Sequence, residues 1–157
     1  MLVVQHIAAG FVDGFAQWLA QSCAMPIKVA AEGEELVAGR VYVAPDQLHL
    51  GVKAPYHVSL TNGPPEHGSR PSVSVCFRSL AEVFGSGAVG VLLSGMGKDG
   101  AEALGLLKQR GALTIAQNAE TSVVHGMPGE AIKIGAARWV LGAEAIASAL
   151  ADLIIRR

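Results

Sequence analysis

The chain is 157 residues long, 51% hydrophobic and only 16% charged, with 19 glycines, 7 prolines and a mean hydropathy of +0.40. That balance excludes a disordered chain, and the length is that of one ordinary domain with a sizeable core. A net charge of −1 and a pI near 6.5 leave no basic footprint for nucleic acid. The most apolar stretch, residues 134–155, is broken by Arg138, Glu144 and Asp152, so it does not read as a membrane span.

In chain order, short β-branched runs alternate with longer helical patterns. Residues 2–5, 27–30, 40–44, 90–93, 113–116 and 138–140 read as strands. Residues 11–23 carry Phe11, Phe15, Trp18 and Leu19 at helical spacing. Pro71 suits the first turn of a helix whose apolar face is Val73, Cys76, Phe77, Leu80, Val83 and Phe84. A third helix, residues 101–110, stops at Gly111 as a left-handed cap, and residues 143–155 form the last. This rhythm calls for a three-layer, doubly wound α/β fold with a mainly parallel sheet. Between residues 40 and 60 the rhythm changes to strand-like pieces separated by turns, which predicts a short antiparallel hairpin excursion. Residues 62–71 are a loop rich in Gly, Pro, Asn and Ser.

Two cysteines, Cys23 and Cys76, stand among apolar neighbours and read as buried thiols of a reducing compartment. The apolar start at residues 1–4 is too short for a secretory signal. A soluble cytoplasmic domain is the expectation. The histidines at 49, 57 and 67 are eight and ten residues apart, unlike the spacing of metal ligands, so no metal is expected.

Gly95-Met96-Gly97-Lys98-Asp99-Gly100 follows the most apolar strand and opens a helix. In form it matches G-x-G-x-x-G, with Glu120 twenty residues beyond Gly100, the pattern of a dinucleotide-binding oxidoreductase. Asp99, however, would place a carboxylate at the helix N-terminus, where it would cap the helix and repel a pyrophosphate. A tight glycine turn capped by Asp99 is the favoured reading. His6 also stands at the carboxyl end of a strand, where sites gather in open α/β sheets. An imidazole and a carboxylate at such strand ends are two thirds of a Ser-His-Asp triad.

The segments Val3-Val4-Gln5-His6, Gly39-Arg40-Val41-Tyr42-Val43-Ala44-Pro45, His49-Leu50, Arg70-Pro71-Ser72-Val73, Gly90 to Ala101, Thr114-Ile115-Ala116-Gln117 and Gly126-Met127-Pro128 resemble the catalytic domain of the chemotaxis protein-glutamate methylesterases. The match runs in order through residues 1–157. The resemblance implies hydrolysis of glutamyl methyl esters, with deamidation of glutamines, on the cytoplasmic helices of chemoreceptors, without a cofactor. It makes His6 the triad histidine, Asp99 the triad aspartate and Met96 N–H part of the oxyanion hole, with His125 and Met127 near the pocket. It implies a receiver domain as a fused or separate partner. The family's serine lies on a turn after a strand that precedes the Gln-His strand, so these residues hold no nucleophile, and a fragment of a longer product is expected. Ser94 ends a strand and reads as structural. Ser74 stands where the family usually carries an aspartate. A receptor-binding module without catalysis is the remaining alternative.

Overall fold

The computed structural model describes residues 1–155, which fall into two compact units, Met1–Val83 and a second that begins at Phe84. The class is α/β, as expected: two three-stranded parallel sheets with their helices and one antiparallel strand pair.

In the first unit, β1 (Leu2–Val3), β2 (Ile27–Val29) and β3 (Val41–Val43) form a parallel sheet in the order β1-β3-β2, with Leu2 and Lys28 both in register with Tyr42. Helix α1 (Val12–Ser22) connects β1 to β2. Alternation along β3 separates two cores. Val43 packs with Val12 and Ala16 of α1, and Tyr42 packs on the other face with Leu50 and Val58. Leu50 and Val58 belong to a hairpin of β4 (His49–Lys53) and β5 (His57–Thr61). The antiparallel excursion is therefore residues 49–61, and the first strand-like piece, β3, belongs to the parallel sheet. Tyr42 is fully buried, and its hydroxyl is satisfied: it accepts from Val37 N–H at 2.9 Å and donates to Glu35 O at 3.1 Å.

Helix α2 (Val73–Val83) begins two residues later than Pro71 would have started it. Ser72 takes the capping position, its Oγ accepting from Ser74 N–H at 3.1 Å. Ser72 N–H in turn donates to Nδ1 of the buried His49 at 3.1 Å, while His49 Nε2 lies 3.0 Å from Pro64 O. A carbonyl only accepts, so Nε2 carries the proton. His49 is thus a core histidine joining β4, the start of α2 and the loop that links β5 to α2.

Two expectations fail on α1. Its buried face is Val12 and Ala16, while Phe11 and Trp18 are 63% and 60% exposed. Cys23 is exposed because it follows the helix in extended conformation, leaving the packed face; Cys76, inside α2, is buried.

The second unit is two successive strand-helix-strand crossovers: β6 (Val89–Leu92), α3 (Ala101–Gln109), β7 (Leu113–Gln117), α4 (Met127–Lys133) and β8 (Trp139–Leu141), followed by α5 (Ala143–Ile155). The sheet order is β6-β7-β8, all parallel. Central β7 is buried from Thr114 through Gln117, as a strand covered on both faces must be. Thr114 is accommodated because its Oγ1 donates to Ala136 O and accepts from Arg138 N–H. Helices α3 and α4 end alike. Gly111 and Gly135, at φ +87° and +70°, donate to Lys108 O and Ile132 O, and Ala112 and Ala136 donate to Leu107 O and Ala131 O. Both are paired left-handed C-terminal caps.

Candidate active site

His6 lies in the first unit, three residues beyond the carboxyl end of β1, and is half-buried. Its loop returns to α1 through Gly10, whose φ is +86°, and Asp46 Oδ2 accepts from Gly10 N–H at 2.7 Å. Asp46 stands just past β3, the neighbour of β1, so adjacent strand ends brace each other.

The remaining predicted residues lie in the second unit, around the segment that leaves β6. Asp99 is 2% exposed. It does not occupy the capping position of α3: the helix starts at Ala101, and Gly100, at φ +85°, takes that place. A left-handed cap suits glycine, which moves Asp99 one residue outside the helix.

The turn from Ser94 to Gly97 is held from one side. Gly95 N–H donates to Val124 O at 2.9 Å, and Gly95 O accepts from Gly126 N–H at 3.1 Å and Met127 N–H at 2.8 Å. A trans peptide is planar, with its carbonyl and the following N–H pointing in opposite directions. Anchoring Gly95 O on the first residues of α4 therefore aims Met96 N–H away from α4. Among the described residues Met96 N–H meets no acceptor within the chain, and the Met96 side chain is 84% exposed. The close approach leaves no room for a Cβ at Gly126 and crowds one at Gly95 against a side chain. A Cβ on Gly95 would sit 2.6 Å from Met127 Sδ, and one on Gly126 would sit 2.7 Å from Gly95 O and 2.9 Å from Gly97 N.

Met127 is thus buried packing against the turn, at the start of α4. His125 is half-buried, with Nε2 3.1 Å from Gln117 O. Ser94 is hydrogen-bonded on both sides: its N–H donates to Gln117 Oε1 at 2.7 Å, and its Oγ pairs with both Val124 O and Val124 N–H. Gln117, buried at the end of β7, carried no functional reading in the sequence, although a polar residue closing an apolar strand is the signal that marks it. Among the described residues no three His, Cys, Asp or Glu side chains group as a metal site.

This arrangement also disposes of the dinucleotide pattern. The space against Gly95 is filled by the side chain of Met127, and Gly126 closes on Gly95 O and the Gly97 backbone, rather than leaving that side for a pyrophosphate. Glu120 falls three residues past the end of β7, off the strand where a ribose-binding acid belongs.

The α/β chain thus carries a glycine turn with an outward N–H and, two residues beyond it, a buried aspartate. The family model for the CheB methylesterase covers residues 1–150, and the chain belongs to that family. It is 52% identical over 157 residues to a protein-glutamate methylesterase/protein-glutamine glutaminase of Nitrosospira multiformis, covering 100% of this chain and 44% of that protein. A protein of Syntrophus aciditrophicus with the same activities in its name is 54% identical over 153 residues, covering 98% of the chain and 44% of the relative. The crystal structure of the Thermotoga maritima CheB methylesterase catalytic domain matches with a TM-score of 0.94 and 37% identity, over 97% of this chain and 82% of that one. The chain therefore spans less than half the length of these curated relatives.

Proposed function

We propose that these residues supply the base, the carboxylate and one oxyanion donor of an esterase that hydrolyses γ-glutamyl methyl esters, and deamidates glutamine side chains, on chemoreceptor proteins. The observation that carries the reading is the peptide between Gly95 and Met96, whose carbonyl is held by two N–H groups so that Met96 N–H faces outward. Such a donor acts on charge that develops only in the transition state.

In this reading a serine supplied from outside the 157 residues attacks the ester carbonyl as His6 accepts its proton. Met96 N–H and a second donor carry the tetrahedral oxyanion. His6 returns the proton to the departing methoxide, which leaves as methanol; from a glutamine side chain, ammonia leaves instead. Water then attacks the acyl-enzyme, His6 again taking and returning a proton, and glutamate and serine are released. The resemblance gives Asp99 the part of the triad carboxylate, which in such a mechanism keeps the imidazole in the productive tautomer and stabilises its charged form. The cytoplasm is the matching compartment, and a receiver domain the regulatory partner.

The test is methanol release from methylated receptor by the full-length protein. Asp99→Asn should cost about 10⁴-fold in kcat, as for a triad aspartate made an amide, with a much smaller change in KM. Wild-type turnover in Asp99→Asn or in His6→Ala would end the assignment.

A further inference from the structure

We infer that Gln117 is a positioning residue for the oxyanion turn, acting through Ser94, an inference that rests on the role proposed for Met96 N–H. The side chain of Gln117 is 5% exposed and every polar atom of its amide is engaged. Its Oε1 accepts from Ser94 N–H at 2.7 Å, and its Nε2 donates to Thr121 O at 2.8 Å and Thr121 Oγ1 at 3.1 Å. Its main-chain O takes a hydrogen bond from His125 Nε2 at 3.1 Å. Gln117 therefore ties together the residue that enters the turn, the loop that follows β7, and the histidine directly before Gly126.

The consequence follows bond by bond. β6 ends at Leu92, so no ladder partner fixes Ser94, and Gln117 Oε1 is the acceptor for its N–H. Gly95 is then fixed between Val124 O and the N–H groups of Gly126 and Met127. Val124 and His125 are themselves placed by the 117–121 segment that Gln117 Nε2 closes. Thr121 Oγ1 completes that segment by donating to Asn118 Oδ1 at 2.7 Å and accepting from Ala143 N–H at 3.2 Å. Removing the amide leaves the strands intact but deletes at once the acceptor for Ser94 N–H and the ties to Thr121. An oxyanion donor is effective only when held in place before the reaction, and a misplacement of about 1 Å costs on the order of 10²-fold. A buried group that only supported the fold would lower stability without separating kcat from KM.

The experiment compares wild type, Gln117→Met, Gln117→Glu and Thr121→Val in the full-length protein, with His6→Ala as reference, by methanol release from methylated receptor. Methionine keeps the volume of glutamine without its hydrogen bonds; glutamate keeps the acceptor for Ser94 and loses the donors. Gln117→Met should lower kcat about 30-fold with KM changed less than about twofold, and Gln117→Glu and Thr121→Val should fall between it and wild type. Amide hydrogen exchange at Ser94 should speed up in Gln117→Met. Wild-type kcat in Gln117→Met, or a loss carried by KM, overturns the inference. If Gln117→Met does not fold, wild-type kcat in both Gln117→Glu and Thr121→Val overturns it, and a kcat-only loss in either supports it. Activity that survives His6→Ala refutes the proposed function itself; loss in His6→Ala with wild-type turnover in the Gln117 and Thr121 variants refutes only the positioning role.

Discussion

Replacing Gly126 by alanine tests how tightly the 94–97 turn is held. Gly126 has φ −83° and ψ −77°, which L-residues adopt without strain, so a methyl there acts through space alone. It would lie 2.7 Å from Gly95 O, 2.9 Å from Gly97 N and 3.0 Å from Gly97 O, the first roughly 0.7 Å inside ordinary contact. All three are main-chain atoms, so no rotamer relieves the clash; the turn or α4 must shift, weakening two hydrogen bonds to Gly95 O. Overpacking costs about 1–3 kcal/mol and each weakened bond up to about 1, so a loss of about 3 kcal/mol is expected, or roughly 6–12 °C in Tm. Gly95→Ala presses on Met127 Sδ, the far part of a flexible side chain, and should cost less, about 1–2 kcal/mol. Gly14→Ala meets nothing within 4 Å on α1 and should gain about 0.5–1 kcal/mol, the helix preference of alanine over glycine. Urea unfolding reads the series, with Trp139 fluorescence in a Trp18→Phe background for the second unit and Trp18 for Gly14→Ala. A Gly126→Ala variant within about 0.5 kcal/mol of wild type, or one more stable than Gly95→Ala, refutes the packing argument.

His49→Leu should destabilise the first unit by about 2–4 kcal/mol, because Ser72 N–H and Pro64 O both lose their partner in a buried setting; a urea midpoint unchanged from wild type would refute this. Two carboxyls set an acid limit. Lys53 Nζ and Leu60 N–H hold Glu32 below its ordinary value of 4.5. Burial pushes Glu34 up, but the Lys28 ammonium, Ala31 N–H and the Arg40 charge outweigh it and hold it below 4.5 as well. Both folded values lie below the unfolded ones, so this stability is present above pH 4.5 and lost as pH falls through the lowered values. Glu32→Gln/Glu34→Gln should flatten the fall in urea midpoint as the pH drops below 4.5, and parallel wild-type and variant curves would remove the explanation.

The strands and long helices were legible because their signals are local: β-branched runs for β2, β3 and β7, and Gly111 closing α3. Helix α4 was not, because its seven residues include Pro128 and Gly129, poor helix formers that the N-terminal position and tertiary contacts permit. The cap at Gly135 was the available clue. The buried face of α1 was misjudged because Phe11 and Trp18 outrank Val12 and Ala16 in apolar size, whereas the helix packs closely enough on β3 that its small residues face the sheet. At the site, glycine spacing located the turn, and the family resemblance assigned a role to Met96. Neither reached Gln117 or Gly126, whose importance lies in contacts between the ends of β6 and β7 that no spacing within one segment encodes.

The 157 residues alone should release no methanol from methylated receptor. Catalysis by this chain would need a resident nucleophile, and Ser94 is the residue beside the turn with a suitable hydroxyl. Its Oγ donates to Val124 O at 3.2 Å and accepts from Val124 N–H at 3.0 Å, while its own N–H is held by Gln117. Turning Oγ toward a substrate would break two hydrogen bonds that brace the oxyanion turn, so attack would dismantle the donor the reaction needs. The residual effect of a site without its nucleophile is about 10³–10⁴-fold over water where triads have been dismantled, and it presumes a complete pocket. Ester bound to the 157 residues should therefore persist, and His6→Ala should leave that persistence unchanged. Methanol release by the 157 residues that disappears in both His6→Ala and Ser94→Ala would show the opposite, that Ser94 leaves Val124 and attacks.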